Sequence, residues 1–184
     1  MGAFYTFGIT FSRLDYAEQC KLLFQDFQIN LDDNTEVKSN IYINNCDYKL
    51  DELQQYICSI FPVGLGTNHI NLKYFEAKNF FHIRNCLYNF LNGLNLPFNF
   101  AFFEFEGADF LQDFNPIEEL QNADLNEIGD GKLAAYFQGQ YNEKDFLPKR
   151  FLDGLVISSF VYNNFNLNIK EFRTYKKDYL WLPL

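Results

Sequence analysis

Five phenylalanines lie between Pro97 and Glu106, and they do not keep to one face. Along an extended chain Phe98, Phe100 and Phe102 point one way, while Ala101, Phe103 and Phe105 point the other. An antiparallel strand with one wet face alternates apolar and polar, so this segment reads as a strand covered on both sides and therefore central. A chain built around it needs a sheet with packed layers above and below.

The composition can supply those layers. With 23 Phe, 12 Tyr and 48% hydrophobic residues, the chain has ample surface to bury, which excludes disorder. A chain of 184 residues hides roughly 70% of its extended-state surface on folding, enough for one sizeable core, so residues 1–184 are expected to form a single domain.

Around the Phe-rich strand the periodicities alternate. Residues 3–11 are aromatic and β-branched and predict a first strand. Asp15 is placed to cap a helix carrying Tyr16, Cys20, Leu23, Phe24 and Phe27 at helical spacing. Residues 40–44 read as a short strand behind a polar loop, 32–39. Residues 49–61 read as a second helix, with Leu50, Leu53, Tyr56, Ile57, Ile60 and Phe61 on one face and Pro62 and Gly64 as its stop. His69 to Phe75 alternates like a strand. A third helix over 77–92 presents Phe80, Ile83, Leu87, Phe90 and Leu91 and ends at Gly93. Asn115-Pro116 opens another helix in cap-then-proline order. Residues 132–138 and 154–162 read as further strands, and Asn163-Asn164 as a turn into an extended segment, 165–175. These expectations give an α+β fold with a mixed, Phe-rich central sheet and three to four packed helices, with α/β winding as the alternative.

The four cysteines, Cys20, Cys46, Cys58 and Cys86, are too far apart to form a metal clip and sit among apolar residues. They read as reduced core thiols, which suits a cytosolic compartment. No run of residues is long and apolar enough to span a bilayer. Met1-Gly2-Ala3-Phe4-Tyr5-Thr6 fits the loose myristoylation pattern. It lies in a predicted strand and no basic cluster follows, so lipidation is not expected.

Catalytic signatures are sparse. His69 and His82 each fall on the polar face of their element and read as solvated. None of the five serines sits in a Gly-x-Ser-x-Gly turn. Gly64-Leu65-Gly66-Thr67 lacks the Gly-Lys-Ser/Thr ending of a phosphate loop. Residues 124–130 resemble half a calcium loop, but Ile128 stands at the fifth position and Ala135 at the twelfth, where a bidentate Glu is needed. No catalytic residue, metal ligand or cofactor site is assigned. Glu104 and Glu106 lie two apart on the central strand; with Asp109 they are the nucleus of an alternative carboxylate- or metal-dependent enzyme.

One charge pattern stands out. The chain carries a net charge of −9, which disfavours nucleic acid and anionic membranes as direct ligands. All 15 Lys and Arg lie outside residues 85–131. That stretch holds nine carboxylates: Glu104, Glu106, Asp109, Asp113, Glu118, Glu119, Asp124, Glu127 and Asp130. Phe105, Phe110 and Phe114 interleave with them, so apolar anchors stand within a charged rim, the anatomy of a protein interface. The expected function is an acidic module that binds a basic protein, in its most specific form an immunity protein that neutralises a nuclease-like toxin. A structural subunit whose aromatics bury an oligomer interface is the remaining alternative.

Overall fold

The computed structural model describes residues 5–66, 69–70, 72–105, 115–122, 154–167 and 172–182. Its strands are β1 (Tyr5–Phe11), β2 (Ile29–Asn30), β3 (Glu36–Val37), β4 (Ser39–Leu50), β5 (Leu53–Pro62), β6 (Leu65–Gly66), β7 (His69–Ile70), β8 (Phe100–Phe105), β9 (Val156–Ser158), β10 (Arg173–Lys176) and β11 (Tyr179–Trp181). Its helices are α1 (Leu14–Gln25), α2 (Ala77–Gly93), α3 (Pro116–Asn122) and α4 (Ser159–Asn164). Seven strands form one sheet in the order β10-β11-β9-β8-β1-β5-β4. Every pairing in it is antiparallel, so the α+β class stands while the sheet is not mixed. None of the described helices is long and apolar enough to cross a membrane.

Strand β8 is central, paired with β1 on one side and β9 on the other. Its two faces enter two different cores. Ala101 and Phe103 join Phe7, Ile9 and Phe11 of β1 and Cys58 and Ile60 of β5 beneath α1 and α2. Phe100 and Phe102 join Ile57, Ile157 and the buried residues Ile117 and Leu120 of α3 and Val161 of α4. Phe7 and Phe103 hold the first core at the β1–β8 seam, ring centroids 4.5 Å apart, and Tyr88 of α2 meets both rings edge-on.

Helix α2 buries Phe80, Ile83, Leu87, Phe90 and Leu91, the stripe its spacing predicts. In α1 the buried residues are Ala17, Cys20 and Phe24, while Leu23 is exposed. Asp15 is not its cap. Arg13 holds the N-cap position with extended backbone, and its guanidinium donates to both Asp15 carboxylate oxygens from Nε at 2.9 Å and Nη2 at 2.7 Å.

The largest correction concerns residues 49–61. They form no helix: β4 continues to Leu50, and β5 returns from Leu53 through a two-residue connection. Asp51 and Glu52 both take positive φ, 48° and 63°, which a right-twisted two-residue hairpin requires and which glycine or asparagine ordinarily supplies. Residues 69–75 are likewise not one strand, since β7 gives way to a 3₁₀ turn over Leu72–Phe75. The expected strand 154–162 ends at Ser158. There the serine hydroxyl accepts the Val161 N–H at 3.3 Å and caps α4, which carries the chain past the expected Asn163-Asn164 turn. Of the extended segment 165–175, the described part contributes the start of β10, which pairs with β11. Residues 132–138 lie outside the described residues.

Candidate functional site

The carboxylates of 104–130 are divided by the structure. Glu104 stands in β8 opposite Thr6 of β1. Asn115 opens α3 as its order with Pro116 predicts, its side-chain oxygen accepting the Ile117 N–H at 3.2 Å. Helix α3 contains Glu118 and Glu119, with Glu118 exposed on the side away from buried Ile117 and Leu120. Glu106, Asp109, Asp113, Asp124, Glu127 and Asp130 lie outside the described residues, as do the interleaved Phe110 and Phe114 and the half calcium loop. Glu104 alone of the Glu104/Glu106/Asp109 set has a described backbone position.

A feature that sequence reasoning missed lies at one end of the sheet. A cleft of about 630 Å³ opens between the chain following α2, the start of α4 and the β10–β11 turn. Its floor is the stacked pair Phe98 and Tyr179, ring centroids 4.1 Å apart, and the Tyr179 hydroxyl accepts the Phe98 N–H at 3.0 Å. Lys176 lies over both rings, and its ammonium donates to the Leu91 and Leu94 carbonyls at 2.9 and 2.8 Å. It thereby adds a donor at the C-terminus of α2, where the Leu91 carbonyl also accepts the Leu94 N–H at 3.2 Å, and answers the negative end of that helix dipole. Burial lowers the pKa of this ammonium from its ordinary value. Lys177, Asn92 and Asn95 line the same cleft with exposed polar ends, and Phe160 stands at its wall 65% exposed. The β10–β11 turn at its rim is set at Asp178, which takes a φ of 64°.

Beside the cleft, and sharing Asn99 with its lining, is a half-buried polar cluster around the buried Gln55. Asn99 Nδ2 donates to Ser12 Oγ at 2.8 Å and Gln55 Oε1 at 2.6 Å, and Gln55 Nε2 donates to the Leu53 carbonyl at 3.0 Å. The cluster ties strand ends together, and its groups are occupied with one another. It contains no base positioned to activate Ser12.

His82 departs from the solvated position expected of it. His82 does not simply face water: its Nε2 lies 2.8 Å from the Asn30 carbonyl and is read as donating to it, tying α2 to β2. Cys86 Sγ is 3.6 Å from the same nitrogen. Beside this contact Lys78 pairs with Asp32 and Lys73 with Asp33, so three side chains of the α2 region hold the β2–β3 hairpin. The side chain of His69 lies outside the described residues. No cluster of three or more His, Cys, Asp or Glu suited to a metal occurs among the described residues.

All four cysteines are free thiols, with Cys20, Cys46 and Cys58 buried and Cys86 half-buried. Cys58 is in β5, not in the helix expected there. Desolvation pushes the Cys46 thiol up to about 12, and the neighbouring Cys58 thiol together with burial pushes Cys20 well above the ordinary range. Such thiols carry little thiolate at neutral pH and are core groups, not nucleophiles.

Comparison with known proteins adds no family: no protein-family model, curated protein or solved structure matches this chain.

Proposed function

We propose that this chain is a protein-binding module whose acidic surface captures a basic partner. In its most specific form it is an immunity-type inhibitor acting in the cytosol on a nuclease-like toxin. The observation that carries the reading is the run of residues 85–131, with nine carboxylates and neither Lys nor Arg. A nuclease groove is positive because it binds phosphates, and a surface dense in carboxylates offers such a groove the same charge. Complementary fields accelerate encounter and select the partner. Helix α3 supports the reading by anchoring itself through Ile117 and Leu120 while holding Glu118 in solvent. The free thiols fit a reducing compartment.

The test is simultaneous charge reversal at Glu118, Glu119, Asp124 and Glu127, with a purified, catalytically inactivated basic nuclease domain that the parent chain binds as the probe. Solvent and salt screen exposed carboxylates, so the variant is expected to melt within a few degrees of the parent. Its affinity is expected to fall at least about tenfold, and association of the parent to slow as salt rises. Unchanged affinity would remove this region from the interface and overturn the reading.

A further inference from the structure

The cleft floored by Phe98 and Tyr179 has no part in the acidic-surface reading. Three stretches of chain build it, and each is hydrogen-bonded to another. The Ser158 N–H donates to the Asn99 carbonyl at 2.9 Å, and the Ser159 N–H to the Asp178 carbonyl at 2.8 Å. The Phe98 N–H donates to the Tyr179 hydroxyl at 3.0 Å. Walls tied together in this way leave a ligand little to order on entry, which favours binding. The volume of about 630 Å³ falls within the range of small-molecule sites, roughly 300–1,000 Å³.

Two features of the lining call for a ligand of particular chemistry. The first is Phe160. It follows the capped start of α4, where Val161 turns into the core, and its ring is left 65% exposed at the cleft wall. A flat apolar body laid against that ring would cover it. The second is charge. Lys176 gives its three N–H donors to the Leu91, Asn92 and Leu94 carbonyls at 2.9, 3.4 and 2.8 Å, so its charge is held in place by neutral acceptors. Lys177 is exposed and forms no ion pair among the described residues. Asp178 is the one carboxylate among the described lining residues. Two ammonium groups against one carboxylate leave a single positive charge over, in a chain whose net charge is −9. We propose that the cleft binds a small aromatic monocarboxylate, its ring against Phe160 and its carboxylate at Lys177. The exposed amides of Asn92 and Asn95 offer further donors to that carboxylate. One surplus charge matches a monoanion, whereas a phosphate dianion would call for more cationic donors. The inference is independent of the basic-partner reading, since none of the nine carboxylates of residues 85–131 is among the described lining residues.

Cinnamate is the probe, titrated into the full chain at low salt and followed by backbone amide shifts in NMR spectra. Saturable shifts confined to the residues around the cleft are expected, with a Kd on the order of 0.1–1 mM for a ligand of this size. Cinnamamide has the same shape without the charge, and acetate the charge without the ring; each is expected to bind at least about fivefold more weakly. Phenyl phosphate is expected to bind no tighter than cinnamate. Lys177→Gln and Phe160→Ala alter exposed side chains, so the circular dichroism spectrum should not change, and each is expected to weaken cinnamate binding at least about threefold. Added salt should weaken binding by the parent chain more than by Lys177→Gln. Absence of saturation up to about 10 mM cinnamate, or shifts centred elsewhere, overturns the proposal. Equal affinity for cinnamamide, or indifference to Lys177→Gln, overturns the carboxylate. Acetate binding as tightly as cinnamate, or indifference to Phe160→Ala, overturns the aromatic body. Tighter binding of phenyl phosphate overturns the choice of a monoanion.

Discussion

Asn99 donates to Gln55 at 2.6 Å from the chain just before β8, reaching β5 across the strand that separates them. Gln55 has no exposed surface, so the oxygen that receives this bond has no water to fall back on. The same Asn99 amide donates to Ser12 at the end of β1, and one side chain thereby fastens three neighbouring strands at one end. Asn99→Ala leaves the Gln55 oxygen with the Ser12 hydroxyl at 3.4 Å as its remaining donor, so the loss expected is that of a single hydrogen bond, about 0.5–1.5 kcal/mol. The urea midpoint should fall accordingly with an unchanged slope. Asn99→Ala combined with Gln55→Met should cost less than the two single changes together, because both remove the same Asn99–Gln55 hydrogen bond.

The central strand makes a sharper demand. Phe100 and Phe102 are 0% and 1% exposed, and both enter the core shared with α3 and α4. Truncating either to Ala removes a ring and leaves a cavity that the paired strands on both sides cannot collapse, at about 3–5 kcal/mol. Leu22→Ala on the outer side of α1, where the side chain is 62% exposed, should move stability by less than about 0.5 kcal/mol. Chemical denaturation of the three variants checks the contrast. A loss below about 1 kcal/mol at Phe100 or Phe102 would contradict burial of the β8 face that meets α3 and α4.

That strand was legible in the sequence because apolar residues on both faces leave few other readings. Helix α2 was legible for the same kind of reason, a long stripe of one period ending in glycine. Strand β5 was not, because Leu53, Tyr56, Ile57, Ile60 and Phe61 fit helical spacing while Ile57, Cys58, Ser59 and Ile60 are in fact all buried in sequence. A strand covered on both sides loses the two-residue alternation that would distinguish it. The signal that could have corrected the reading, a tight turn after Leu50, is half written: Asp51 is a residue that tolerates positive φ, while Glu52 is not one that ordinarily takes it. The candidate surface was legible only as charge: composition marks 85–131 as acidic, but the cleft floored by Phe98 and Tyr179 joins residues 81 apart in sequence, a proximity no local pattern encodes.

The hairpin of β2 and β3 offers a test of surface electrostatics. The Lys73 ammonium beside Asp33, followed by hydrogen bonds from Thr35, holds the Asp33 carboxyl down at about 2. A carboxyl whose folded pKa is depressed contributes stability above its ordinary pKa near 3.9, and that contribution is lost as pH falls through the folded value. The window for Asp33 therefore runs from about 3.9 down to about 2. Both partners stand in solvent, so screening keeps the effect on global stability small and the readout is the titration itself. Carboxyl carbon shifts followed by NMR should place the Asp33 midpoint near 2, with Asp32 and Asp15 also below the ordinary range through Lys78 and Arg13. Lys73→Gln should raise the Asp33 midpoint toward the ordinary value, while added salt should raise it less, because hydrogen bonds from Thr35 are not screened. An Asp33 midpoint near 3.9 in the unaltered chain would show that Lys73 does not hold the hairpin to the α2 side of the sheet.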